Sequence, residues 1–157
     1  MQTMKKKVLV VVPVYTETLA GREEKSLRQA IKMLGRYPIT LLVPEDLNVV
    51  LLQEQFPGLG FTRVSCEWLG RCGIEGYNRM MLSHEFYEMF TEYEYILICQ
   101  TDAWIFRDEL EQWCDAGYDY VGAPWPKKKK YALPLVRHFL KIRRFFFRSK
   151  TRIIRQQ

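Results

Sequence analysis

Residues 7–15 read KVLVVVPVY, and the unbroken apolar run at positions 8–12 decides the fold class. A half-buried strand alternates apolar and polar residues, whereas a continuous β-branched run is typical of a strand covered on both faces of a parallel sheet. The run is shorter than the ~20 residues of a membrane span, and no small-residue cleavage site follows it. The stretch therefore predicts a buried first strand of an α/β domain.

Helical and strand patterns alternate along the chain after this run. Residues 22–36 place Leu27, Ile31 and Leu34 at helical spacing, with charged residues on the opposite face. Further strands are predicted at 39–43, 61–66 and 93–99, a short helix at 49–56, and one largely buried helix from Gly73 to about Tyr93. Asp108 and Glu111 resemble a capping box for a last helix at 108–117. The predicted fold is an open, mostly parallel α/β sheet with helices on both faces.

Charge divides the chain into a body and a tail. Residues 1–126 carry 12 Lys and Arg against all 18 Asp and Glu, a net charge of −6, whereas residues 127–157 carry 12 Lys and Arg and no acid, a net charge of +12. The predicted domains are accordingly a body at 1–126 and a basic tail at 127–157. The four cysteines form no CxxC pair, which argues against a zinc site and favours a reducing, cytoplasmic setting.

Polar residues follow three of the predicted strands. They are Tyr15, Thr16 and Glu17 after the first strand, Glu45 and Asp46 after the second, and Gln100 and Asp102 after the fourth, within YEYILICQTDAWIF, residues 93–106. Ligands of open α/β sheets bind outside the carboxyl ends of the strands, so these groups predict a site for a cation, ribose hydroxyls or a base edge. Neither a GxGxxG nor a GxxxxGK[ST] motif is present, which argues against a dinucleotide fold and a P-loop.

Four stretches together resemble an uncharacterised bacterial family related to GT-A glycosyltransferases. They are PVYTE, EGYNRMMLSHEFYEMF, YILICQTDAWIFRDELEQWC and GYDYVGAPW, and the resemblance covers roughly residues 7–126. It implies a Rossmann-like half-domain that binds a nucleotide-diphosphate sugar, with Mn²⁺ or Mg²⁺ held on the diphosphate by a DxD motif. Gln100-Thr101-Asp102 occupies the DxD position, and Gln100 replaces the first Asp, so a single carboxylate predicts weaker cation binding.

The resemblance implies roles for particular residues. Asp102 is the candidate metal ligand. The nucleotide-sugar-binding residues would be Tyr15, Glu17, Glu45, Asn78, Arg79, Gln100 and Asp102, and the sugar or acceptor side would be lined by Tyr118, Asp119 and Trp125. No catalytic residue is assigned. The family also has a second half that completes the acceptor site, so we expect this chain to be the N-terminal portion of a longer enzyme or a truncated one.

Each assignment has a structural alternative. Asp102 could cap the turn after its strand, Arg79 could pair with Glu75 one helical turn earlier, and Asn78 could satisfy the backbone. Glu17 and Glu45 could be solvated loop acids. Tyr118, Tyr120 and Trp125 could belong to the core, and Asp119, on a predicted strand, could make a structural hydrogen bond.

The tail, residues 127–157, combines basic and apolar residues. After Pro134, cationic residues that include Arg137, Lys141, Arg144 and Arg148 recur every three or four positions. This spacing is typical of an amphipathic helix on an anionic membrane surface. The tail could instead pack on an absent second half or be disordered, and the acidic body argues against nucleic acid as its partner.

The sequence therefore predicts two alternative functions. The first is glycosyl transfer from a nucleotide-diphosphate sugar to a cell-surface glycan or lipid-linked acceptor, in the cytoplasm or at the inner face of the cytoplasmic membrane. The alternative is a non-catalytic module that docks on a membrane or a partner through the basic tail.

Overall fold

The structure is a computed structural model that describes residues 6–122. These residues fall into two units, which divide between Tyr118 and Asp119. In the first unit four strands, β1 (Lys6–Pro13), β2 (Ile39–Pro44), β3 (Gly60–Val64) and β4 (Tyr93–Ile98), form one sheet in the order β3-β2-β1-β4. All three strand pairs are parallel. The predicted parallel α/β sheet is therefore confirmed.

Helices cover both faces of this sheet. The helices are α1 (Gly21–Leu34), α2 (Val50–Gln55), α3 (Gly73–Met81), α4 (His84–Glu88) and α5 (Leu110–Asp115). Val10 and Val12 of β1 pack with α1 and α2, whereas Leu9 and Val11 point to the other face and pack with α3 and α4. This alternation explains why the first strand has no polar position, because every side chain from Val8 to Pro13 is buried.

The prediction of one largely buried helix from Gly73 to Tyr93 is wrong. The helix stops at Met81, and Ser83 begins α4 by accepting a hydrogen bond from Phe86 N–H at 3.3 Å. A serine hydroxyl at the N-cap satisfies a first-turn amide that has no partner within the helix, so it favours the start of a new helix at this position. Burial is also one-sided, since Leu82 between the two helices is 88% exposed.

Two smaller predictions fail for local reasons. Asp108 does not form a capping box, because Glu109 is the N-cap of α5 and makes no side-chain capping hydrogen bond. The Asp108 carboxylate instead binds Arg36 Nε at 2.6 Å and accepts a bond from the Leu110 N–H at 3.1 Å. Residues 118–122 contain neither helix nor strand, so Asp119 does not lie on a strand.

Candidate functional site

A cleft of about 380 Å³ opens at the carboxyl ends of β1 and β4. Pro13 and Tyr15 from the end of β1 line it, as do Gln100, Thr101 and Asp102 that follow β4. Because β2 pairs with one side of β1 and β4 with the other, the strand order reverses at this point. Such a topological switch point is where open α/β sheets bind their ligands.

The segment from Leu69 to Tyr77 forms the wall opposite the strand ends. Leu69, Gly70, Gly73, Ile74 and Tyr77 all line the cleft. Gly70 and Gly73 have φ angles of 114° and 51°, a backbone conformation that favours glycine. The chain can therefore turn tightly here and begin α3 at the cleft.

Close packing fixes the start of α3. A Cβ atom at Gly76 would clash with the carbonyl oxygen of Glu67, so the helix can approach residues 67 and 68 only because position 76 is glycine. This contact holds Ile74 at the cleft although its side chain is 81% exposed. An exposed isoleucine fixed at the edge of a cleft offers an apolar surface to a ligand.

Gln100 and Tyr77 join the two walls. The Gln100 Nε2 donates a hydrogen bond to the Tyr77 hydroxyl oxygen at 3.1 Å. The amide oxygen of Gln100 remains as an acceptor, and the second Nε2 hydrogen of Gln100 and the hydroxyl proton of Tyr77 remain as donors. Together they form a neutral polar group suited to hydroxyls or a base edge.

Asp102 lies in the turn that directly follows β4. The turn closes with a hydrogen bond from Ala103 N–H to the Gln100 carbonyl at 3.0 Å, and Asp102 is exposed. Within residues 6–122 its carboxylate has no hydrogen bond and no ion pair, so it does not cap this turn. Burial, and then the charge of Asp102, raise the pKa of the adjacent Cys99 thiol. The carboxylate is thus available to a ligand.

Helix α1 brings a second carboxylate, that of Glu23, to the cleft. The same helix holds the chain after Asp102: the Ser26 hydroxyl donates to the Ala103 carbonyl, and Gln29 Nε2 donates to the Ile105 carbonyl at 2.9 Å. Glu23 and Tyr77 are not among the site residues predicted from the sequence. Both lie within helical patterns, and nothing in those patterns distinguishes a side chain that faces a cleft.

The carboxylates that line the cleft are the candidate ligands for a divalent cation. Among the described residues, no group of three or more His, Cys, Asp and Glu side chains is arranged to hold a metal ion. Mg²⁺ nevertheless binds through one or two carboxylates when phosphate oxygens and water complete its coordination. Asp102 and Glu23 are the two carboxylates that line the cleft, so a cation shared with a bound phosphate group would be held by one or both of them.

The other predicted residues at strand ends lie outside this cleft. Glu17 is exposed in the loop between β1 and α1, and Glu45 is exposed after β2, where its carbonyl accepts a bond from Arg63 Nη1 at 2.7 Å. Asp46 binds Arg71 Nη2 at 2.9 Å. Hydrogen bonds from the Cys66 thiol and from Arg71 hold the pKa of Asp46 below its usual value.

Asn78 and Arg79 also lie outside the cleft lining. The Arg79 guanidinium is 3.7 Å from the Glu75 carboxylate, which is the i,i+4 pair that the structural alternative predicted. Asn78 is exposed on α3, and its carbonyl accepts a bond from Leu82 N–H at 3.2 Å. Ile74 and Tyr77 are instead the α3 side chains that line the cleft.

The predicted sugar or acceptor side is only partly described. Tyr118 is exposed rather than in the core, with its ring centroid 6.5 Å from that of Trp113. Asp119 and Tyr120, in the second unit, are also exposed. The remaining predicted residues lie outside the described range, namely Trp125, Arg137, Lys141, Arg144 and Arg148.

Comparisons with known proteins give a family but no activity. In residues 6–122 no helix combines the length and the apolar character that crossing a bilayer requires. No curated protein matches the chain. A family described as "Protein of unknown function (DUF5672)" matches residues 59–151, which include α3, the strand-end turn with Asp102 and α5. Because this match covers more than half of the sequence, the chain belongs to the DUF5672 family.

Proposed function

We propose that this chain binds a nucleotide-diphosphate sugar in the cleft and belongs to a glycosyltransferase that acts on a cell-surface glycan or glycolipid. One observation carries the proposal: Tyr15, Gln100 and Asp102, three residues expected from the sequence to contact the donor, line the same cleft at the switch point of the sheet. The resemblance of residues 7–126 to GT-A enzymes supports the same ligand.

The cleft offers a surface for each part of such a donor. Tyr15 and Ile74 lie at its exposed edge, where they suit the planar base. The Gln100–Tyr77 pair suits ribose or sugar hydroxyls. Asp102 and Glu23 would hold Mn²⁺ or Mg²⁺ on the diphosphate. None of the described residues that line the cleft is Lys or Arg, so a cation is needed to bring a diphosphate beside two carboxylates.

Sugar transfer requires two changes at the anomeric carbon. Its bond to the diphosphate oxygen breaks, leaving the electron pair on that oxygen, and a new bond forms to the oxygen of an acceptor hydroxyl, whose proton is released to solvent water. A bound divalent cation stabilises the negative charge on the departing diphosphate. The part of this chain is to hold the donor with its diphosphate at Asp102 and its sugar toward the acceptor. The proposed place of this reaction is the cytoplasm, at the inner membrane face where the predicted basic tail would bind.

Calorimetric titration of the whole chain with uridine and guanosine diphosphates, with and without Mn²⁺, tests the proposal. We expect one of the two nucleotides to bind only when Mn²⁺ is present, and the corresponding nucleoside, which has no diphosphate, to bind far more weakly. Circular dichroism would establish that the titrated protein is folded. A folded chain that binds neither nucleotide with Mn²⁺ would contradict the proposal.

A further inference from the structure

Helix α1 forms two hydrogen bonds with the chain that follows the cleft. The Ser26 hydroxyl donates to the Ala103 carbonyl. Three residues later on the helix, Gln29 Nε2 donates to the Ile105 carbonyl at 2.9 Å. Residues spaced by three lie on the same side of a helix, so the two side chains hold this segment along one face of α1. We call these two bonds the α1 clamp.

The burial of Ser26 makes its contact costly to break. Ser26 is 5% exposed, so water has little access to its hydroxyl. A serine hydroxyl within a helix often bonds to a carbonyl of its own preceding turn, whereas here the acceptor lies 77 positions away. If the segment moved away from α1, the buried hydroxyl would lose this acceptor, at a cost in free energy. The contact therefore opposes movement of Ala103.

The clamp acts on the turn that carries Asp102. The Ala103 N–H closes this turn by donating to the Gln100 carbonyl at 3.0 Å, and the Ala103 carbonyl accepts from Ser26. The peptide groups on both sides of Ala103 are thus held, one by the strand end and one by α1. Asp102 itself makes no side-chain hydrogen bond or ion pair in the described part of the chain, so contacts of its neighbour restrict where its carboxylate lies.

We infer that Ser26 and Gln29 are positioning residues, which hold the Asp102 carboxylate in the cleft for a divalent cation and the phosphate bound to it. Neither side chain lines the cleft, so both act through the backbone of residues 103–105. The effect on a ligand rests on the proposed function, whereas the effect on the turn does not. Without the clamp the turn would adopt further conformations, and the apparent affinity would fall with the fraction of molecules that keep Asp102 in place.

Hydrogen exchange measured by NMR on the whole chain tests the effect on the turn. In Ser26→Ala the Ala103 amide should exchange about fivefold faster, relative to a reference amide in the sheet. The reference is the Val10 amide, which bonds to the Pro38 carbonyl at 3.0 Å. Gln29→Met removes the second donor at a half-buried position and should act in the same direction, so it tests the inference even if Ser26→Ala does not fold. An unchanged exchange ratio in either folded variant would overturn the inference.

Calorimetry with the nucleoside diphosphate and Mn²⁺ tests the effect on binding. Ser26→Ala should weaken binding by about fivefold. Thr40→Val is the matched control, because Thr40 is likewise buried, at 7% exposed, and its hydroxyl bonds to that of Thr62 at 2.9 Å between β2 and β3. Removing this hydroxyl should lower the melting temperature and leave the nucleotide affinity unchanged. A loss of affinity in Thr40→Val as large as that in Ser26→Ala would overturn the inference.

Combining Ser26→Ala with Asp102→Asn shows whether Ser26 acts through Asp102. In the Asp102→Asn background, Ser26→Ala should change the affinity by less than about twofold, because the group that it positions is already altered. NMR titration, which also detects weak binding, measures these affinities. Equal losses in the two backgrounds, or no loss in Ser26→Ala alone, would overturn the inference. If the folded wild type binds no nucleotide, the proposed function is contradicted, and a raised Ala103 exchange ratio in Ser26→Ala would still support the clamp.

Discussion

The carboxyl end of β2 and the carboxyl ends of β1 and β4 carry similar acids that are used differently. At the β2 end, Asp46 binds Arg71, and Arg63 donates to the Glu45 carbonyl. At the β1 and β4 ends, Asp102 has no ion pair within the described residues and lies in a cleft. At the β2 end the carboxylate is paired within the protein, whereas the other end leaves a carboxylate open to a ligand.

This difference shows that position at a strand end does not by itself identify a site. The residues around the acid determine whether it can bind a ligand. A paired carboxylate has already exchanged water for a protein cation, whereas an unpaired carboxylate can still bind a ligand. The strand order places the open carboxylate at the switch point and the paired one at the outer β2–β3 side of the sheet. Substitutions of the acids and of their neighbours test whether the β2 end and the cleft end differ in ligand binding.

The largest effect is expected from Asp102→Asn. Removing its charge should weaken Mn²⁺-dependent binding of the nucleoside diphosphate by about 100-fold, because a charge-assisted contact contributes roughly 1.5–3 kcal/mol. The melting temperature should stay the same, since Asp102 makes no structural contact among the described residues. Calorimetry and thermal unfolding measure the two quantities.

Asp46→Asn is the control for that experiment, because it makes the same substitution at the other strand end. It should leave the nucleotide affinity unchanged. If Asp46→Asn weakened binding as much as Asp102→Asn, the distinction between the two ends would be wrong.

The next largest effect concerns the apolar edge of the cleft. Ile74→Ala should weaken nucleotide binding by about tenfold, because it removes apolar area that a bound base would cover. Leu82→Ala removes a similarly exposed side chain away from the cleft and should have no effect. Equal affinities for the two variants would show that the base does not lie against Ile74.

Gln100→Asp should make the cleft end more acidic and strengthen cation binding. A second carboxylate after β4 should tighten the binding of Mn²⁺ to the nucleotide-free chain by about threefold, less than an independent ligand would give because the two like charges repel. Electron paramagnetic resonance of free Mn²⁺ measures this change. Gln53→Asp, on the exposed side of α2, is the control. An equal gain in Mn²⁺ affinity in this variant would show that the added negative charge acts through the net charge of the chain and not at the cleft.

The smallest effect is expected at the β2 end. The pKa of Asp46 is lowered in the folded chain, so its carboxylate stabilises the fold fully above about pH 4, and this stabilisation is lost as the pH falls through the lowered pKa. Arg71→Met should reduce this loss only in part, because the Cys66 thiol contributes as well. The melting temperatures of the wild type and of Arg71→Met, measured between pH 5 and pH 3, test this prediction. If both depend on pH in the same way, the ion pair with Arg71 contributes no net stability.

The sequence was informative where a residue's environment follows from local pattern. The unbroken apolar run of β1 required cover on both faces, and the parallel sheet confirmed this. Tyr15, Gln100 and Asp102 could be placed at one edge because parallel strands end on the same side of a sheet. The break at Ser83 could also have been expected from its preference for the N-cap position.

Other features depend on long-range contacts that local patterns do not encode. Glu23 and Tyr77 reach the cleft only through the packing of α1 and α3 on opposite faces of the sheet. The pairing of Asp46 with Arg71 joins residues 25 positions apart, so it could not be distinguished in advance from the open Asp102. The pair of Arg36 and Asp108 likewise joins residues 72 positions apart, so the local pattern that predicted a capping box could not show it.

Mapping the bound nucleotide by NMR tests the central claim most directly. Uridine or guanosine diphosphate, whichever binds, would be added with Mg²⁺ to the ¹⁵N-labelled chain, and the shifts of the backbone amides would be followed. The account predicts the largest shifts at Tyr15, at Gly73 and Ile74, and from Gln100 to Asp102. Shifts centred on Glu45 and Asp46, or no shifts in a folded chain, would contradict it.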